Sequence, residues 1–184
     1  MPSAWKPTKQ QVLAAATKTV SDVIAPNLRV LFCGINPGLY TAAVSRHFAR
    51  PGNRFWRALY DGGFTDRVLS PFDQFELLSN GYGVTNVVAR ATASADQLTR
   101  DEIVAGGKRL TAKVRRYQPQ ILAILGVGAY RLAFDRPRAT VGRQNEKIGT
   151  TVLWVLPNPS GLNANYQQPE LARLFQELKA AERE

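Results

Sequence analysis

The sequence predicts a three-layer α/β/α sandwich around a short, mainly parallel central sheet. Four apolar runs of strand length carry that expectation: "LRVLFCG" (28–34), "YGVTNVV" (82–88), "QILAILG" (120–126) and "TVLWVLPNP" (151–159). Each is nearly continuous in apolar residues, as strands are when both faces of their sheet are covered. Helical patterns separate them, and that alternation is the signature of an α/β domain. A chain of 184 residues, 45% apolar and 21% charged, suits a single domain over 1–184 with a sizeable core. The first ten or so residues are expected to form a mobile basic arm.

The helices follow in chain order. Lys9 to Ile24 is amphipathic, with Val12, Leu13, Ala16, Val20 and Ile24 spaced for one face. Asn53 is placed to cap a helix carrying Phe55, Trp56, Leu59 and Tyr60. Ser70-Pro71 reads as an N-cap followed by proline in the first turn, opening a helix to about Leu78. Thr99 with Glu102 matches a capping box and starts a helix to Tyr117. Gly106-Gly107 inside it costs roughly 1 kcal/mol each against alanine, so the pair marks a close contact or a break. From about Pro169, Leu171, Leu174, Phe175 and Leu178 form the last apolar stripe.

Composition excludes several chemistries. The one cysteine, Cys33, rules out an internal disulfide and suits a reducing, cytoplasmic setting. One histidine, His47, and one cysteine make no Cys/His zinc cluster. No serine sits in a G-x-S-x-G elbow, and no G-x-x-x-x-G-K-[ST] loop occurs. No apolar run approaches the ~20 residues of a membrane span. Lys plus Arg number 24 against 14 acidic residues, a net charge of +10. Such a balance favours a polyanionic partner through counterion release.

Two strand ends deliver Asn-Pro turns: "GINPGLY" after the first strand and "LPNPSGLN" after the fourth. Proline holds the preceding residue extended, so Asn36 and Asn158 should project from the carboxyl ends of the strands, where α/β sheets bind ligands. Gly38 and Gly161 allow close approach of a ligand. Both motifs also serve as ordinary turns. Gly126-Val127-Gly128 imitates a dinucleotide fingerprint, but Arg131 stands at its third glycine. It reads as a tight strand-to-helix turn.

"GINPG", "HFARPGNRFW", "GVTNVVAR", "LAILG" and "LPNPSGL", in that order, resemble the mismatch-specific uracil-DNA glycosylases, a family that includes the thymine-DNA glycosylases. The resemblance covers roughly residues 23 to 180. It implies a uracil-DNA-glycosylase fold with DNA across the strand ends, and hydrolysis of the glycosidic bond of uracil opposite guanine without metal or organic cofactor. The expected partner is double-stranded DNA with a G·U or related mismatch, bound by a monomer.

By that resemblance Asn36 orients the attacking water, and Gly34, Ile35, Gly38, Phe48 and Asn158 form the base pocket. Phe48 stacks on the flipped base. Gly38 stands where the strict uracil glycosylases carry tyrosine, which leaves room for ethenocytosine, 5-substituted uracils and weakly thymine. Asn158 replaces the histidine that stabilises the leaving base in the strict type. Pro159, Ser160, Gly161 and Leu162 resemble the wedge and widowed-base loop. The family often has a basic residue two positions after this leucine; here Ala164 stands there. Asn86 resembles the asparagine of the thymine branch, and with Thr41, Arg46 and Arg50 it is assigned to the DNA backbone. Arg54, Ser160 and Lys108 are further phosphate candidates. Asp96 reads either as a turn or cap aspartate or as the carboxylate base that Asn36 cannot be. The competing functional class is a non-catalytic nucleic-acid-binding module on the same scaffold.

Overall fold

The computed structural model of the chain describes residues 5–183. Five strands form one sheet: β1 (Val30–Gly34), β2 (Tyr82–Asn86), β3 (Ile121–Leu125), β4 (Gly142–Ile148) and β5 (Thr151–Leu156). Their order is β2-β1-β3-β5-β4. The first four in that order run parallel, and β4 lies antiparallel on the edge of β5. Helices α1 (Lys9–Ala14), α2 (Leu39–Val44), α3 (Phe55–Asp61), α4 (Glu76–Ser79), α5 (Arg100–Tyr117), α6 (Val127–Ala133) and α7 (Gln168–Ala181) flank the sheet. The fold is thus the expected α/β sandwich.

Both faces of β1 are buried, which explains its unbroken apolar run. Val30 and Phe32 join one core cluster with Phe55, Leu59 and Phe175. Leu31 and Cys33 join the other with Leu110, Val114 and Tyr130. On the first face Phe32 meets Phe55 and Phe64 edge-on at 5.5 and 5.3 Å, an arrangement aromatic quadrupoles favour. α3 packs on α7, and α5 on α6.

The capping box Thr99–Glu102 opens α5 as expected. Gly106 and Gly107 are close contacts, not a break. A Cβ on Gly106 would lie 2.4 Å from the Val87 carbonyl oxygen, and one on Gly107 2.3 Å from that of Ala133. Asn53 accepts from the Phe55 amide at 2.9 Å beside the start of α3.

Three expectations need correction. The helix expected from Lys9 to Ile24 ends at Ala14, and Thr17 turns left-handed at φ 69°. Val23 instead bridges Val84 with two backbone bonds of 2.9 and 2.8 Å. Covering the free edge of β2 outweighs helical periodicity, and the Asp22–Lys113 pair at 2.6 Å ties the segment to α5. The segment after Ser70 forms a single 3-10 turn, Pro71–Asp73, before the short α4. β4 was not anticipated, because "GRQNEKI" is polar; it is an edge strand whose alternate residues face solvent, and charge there blocks edge-to-edge association. Of the arm expected over 1–10, residues 1–4 lie outside the described residues, and Lys9 and Gln10 belong to α1.

Candidate active site

The carboxyl ends of β1, β2, β3 and β5 open into one cavity of about 190 Å³. β1 contributes Gly34 and the turn Ile35 to Gly38. β2 contributes Asn86, β3 contributes Leu125, and the loop after β5 contributes Asn158, Ser160 and Leu162. The walls are closed by Thr41, His47, Phe48, Arg50 and Asn53 on one side and Thr92 to Ala95 on the other.

Asn36 is held by its nitrogen. Nδ2 donates to the Arg90 carbonyl at 2.9 Å and to Thr92 Oγ1 at 2.8 Å. A carbonyl only accepts, so the amide orientation is settled. The Thr92 hydroxyl passes its own proton to the Ser94 carbonyl at 2.7 Å. Both N–H donors are consumed, and Oδ1 remains as the acceptor available to a ligand.

Asn158 is held by its oxygen. Oδ1 accepts from the Ser160 amide at 3.0 Å, closing a turn of the Asx type. Its own carbonyl accepts from Asn163 Nδ2 at 3.0 Å. The Nδ2 group is left as a donor.

Phe48 supplies the flat surface. Its backbone is left-handed at φ 51°, a conformation that costs a bulky residue about 1–3 kcal/mol and persists only when neighbours enforce it. They do so from three sides. Gln74 Oε1 accepts from the His47 amide at 2.9 Å, Trp56 Nε1 donates to the His47 carbonyl at 3.2 Å, and the Ala49 amide donates to Thr41 Oγ1 at 3.1 Å. Phe55 backs the ring at a centroid distance of 4.2 Å. Gly34 is needed beneath it: a Cβ there would meet Asn86 Oδ1 at 2.5 Å and the Phe48 ring at 3.2 Å.

One acceptor, one donor and one aromatic face at strand ends make a site for a planar, hydrogen-bonding ring. Residues 21–179 match the family model of the uracil DNA glycosylase superfamily. The chain belongs to that superfamily. It is a uracil DNA glycosylase in the general sense, a hydrolase of base-excision repair that acts on DNA.

The residues singled out in the glycosylase's sequence divide between the cavity, its rim and the surface beyond. Asn86 lines the pocket, because the parallel register pairs it with Gly34 at the floor. Thr41 is likewise buried in the wall, its hydroxyl oxygen engaged by Ala49. Arg46 does not line the cavity; it lies over the Phe72 ring at 5.7 Å. Arg50 is exposed at the rim. Lys108 sits on the exposed face of α5. Asp96 is exposed, accepts from the Ser94 hydroxyl and is not among the lining residues. Pro159 and Gly161 shape the loop from outside the cavity, Pro159 by accepting from the Arg54 amide at 3.0 Å. Arg54 points its guanidinium at that loop's carbonyls.

Burial sets the state of His47 and Cys33 beside the site. His47 is 1% exposed, and its Nε2 donates to the Ser21 carbonyl at 2.9 Å. Burial lowers its proton affinity below the usual histidine value, so it stays a neutral scaffold residue. Burial drives the Cys33 thiol far above its ordinary range, which removes it as a nucleophile. Among the described residues, no group of three or more His, Cys, Asp or Glu is placed to hold a metal ion. Thr92 and Arg90 orient Asn36, a role that their place in "GVTNVVARAT" does not reveal; the backbone bonds from Val88 to Ile35 and from Thr92 to Pro37, with the parallel Gly38–Thr92 bridge, bring them to Asn36.

Proposed function

We propose that this glycosylase is mismatch-specific and monofunctional, releasing uracil paired with guanine from duplex DNA. The carrying observation is the opposed pair of amides, with Asn36 Oδ1 and Asn158 Nδ2 left over at one cavity beside Phe48. A base inside a duplex must be flipped to reach such a cavity, at a cost of a few kcal/mol that a mismatch reduces. Phe48 offers a stacking face for the flipped ring. Asn36 Oδ1 accepts a hydrogen bond from water and so turns the water's own lone pair toward the anomeric carbon, and the proton lost on attack goes to the departing base anion. An amide is a poor base, so the reading requires the glycosidic bond to break largely before water attacks. Catalysis then rests on position and fixed dipoles. Asn158 Nδ2 is a neutral donor for the oxygen of the departing base anion. The lining holds no lysine, which favours water over an amine as nucleophile.

Gly38 supports a broad pyrimidine range. A Cβ built there meets nothing within 4 Å, so a substituent at C5 finds open space. Leu162, 76% exposed at the rim, suits a wedge that fills the vacated stack.

The deciding experiment incubates the protein with a G·U duplex and then treats it with alkali, which breaks the strand at abasic sites. Cleavage at the uracil position is expected, weaker or absent for A·U. An intact strand alongside tight duplex binding would instead favour the non-catalytic binding module.

A further inference from the structure

We propose that Arg54 is a positioning residue that holds the Leu162 loop in its inserting shape and makes no phosphate contact of its own. The proposal rests on the reading of Leu162 as a wedge. Residues 157–166, "PNPSGLNANY", contain no charged side chain. Two prolines remove backbone donors, and the loop leaves carbonyls pointing inward. Arg54, just before α3, fills that gap. Its guanidinium donates to the carbonyls of Ser160 at 2.7 Å and Asn163 at 3.0 Å, and also to that of Tyr166. Its backbone amide donates to Pro159. Nε is buried without a partner, so that edge faces protein and not solvent. Gly161 lies against the same entry to α3, where a Cβ would come within 2.6 Å of the Gly52 oxygen.

The carbonyls Arg54 gathers lie on both sides of Leu162, while the leucine itself stays exposed. A planar fork spreads its five donors over three nitrogens and so reaches carbonyls set apart along the loop, whereas the three donors of an ammonium share one nitrogen. Holding the loop before DNA arrives removes an ordering cost from insertion. The next residue, Phe55, backs the Phe48 ring. One helix start therefore sets both the wedge and the stacking face.

Two measurements test this on the full chain. The first is amide exchange over 160–166 in the free protein. Arg54→Gln should accelerate it at least about tenfold, Arg54→Lys by less, and Arg57→Gln, on the exposed side of α3, not at all. Unchanged exchange in Arg54→Gln overturns the proposal. The second is single-turnover uracil release from a G·U duplex at several salt concentrations. Arg54→Gln should lower the rate about tenfold in the parent and less than about twofold when Leu162→Ala is already present, because a misplaced wedge and a missing one are one defect. Equal losses in both backgrounds, or a binding salt slope reduced by about one, would make Arg54 a phosphate contact and overturn the proposal. Should Arg54→Gln fail to fold, Arg54→Lys carries both arms. If the parent itself releases no uracil, the catalytic reading fails, and loop exchange still decides the holding role.

Discussion

Asn36 and Asn158 turn opposite ends of their amides toward the same cavity. Asn36 spends both N–H bonds on Arg90 and Thr92 and keeps its oxygen free. Asn158 spends its oxygen on Ser160 and keeps its nitrogen free. Identical side chains thus become an acceptor and a donor, because the Arg90 carbonyl can only accept and the Ser160 amide can only donate.

Asn36→Ala should lower single-turnover uracil release by about 10²–10³-fold, the scale of losing one preorganised polar group, with duplex binding nearly unchanged. Equal loss of binding and rate would remove the water-positioning role. Asp96→Asn should match the parent, since that carboxylate is turned to Ser94 at an exposed turn.

At Asn158 charge is the discriminator. Asn158→Ala removes a donor to a developing anion, a loss of about 1.5–3 kcal/mol, or about ten- to a hundredfold in rate. Asn158→Asp keeps the bond from Ser160 but sets a negative charge against the leaving base. It should therefore be slower than Asn158→Ala. An aspartate variant faster than the alanine variant would place the leaving group elsewhere.

Gly38→Tyr tests the open space. Gly38 has φ −75°, so a side chain is tolerated there without strain. Release of uracil should persist while release of 5-substituted uracils falls. A parallel loss on both substrates would indicate a displaced loop and not selection at C5.

The lone histidine gives a clean titration. His47 is neutral in the fold, with its proton affinity lowered below the ordinary 6.5 by burial. Below pH ~6.5 the unfolded chain binds a proton that the native chain does not, so stability is full above that value and declines as pH falls toward the lowered one. Its imidazole proton resonances should not shift through pH 6.5. A midpoint at or above 6.5 would contradict its burial against Ser21.

Gly107→Ala should destabilise by about 1–3 kcal/mol through overpacking, because the added carbon lands on the Ala133 carbonyl. Urea melts would show a lower midpoint at constant slope. An unchanged midpoint would mean that α5 and α6 separate at little cost.

The sequence alone determined whatever local pattern dictates. Buried strands are recognisable because a doubly covered strand must be apolar throughout. The Thr99–Glu102 cap closes within four residues, and the Asn-Pro turns owe their extended shape to proline. What depended on distant partners was decided only by the folded chain. β4 is polar because an edge needs no second apolar face, and the segment 15–24 left the helix to cover β2. Asn86 entered the pocket through strand register. Arg54 reads in the sequence as a candidate phosphate contact. Its role arises because residues more than a hundred positions away turn their carbonyls toward it. Periodicity reports which side of an element is buried; the direction of one hydrogen bond depends on a partner that only the tertiary fold supplies.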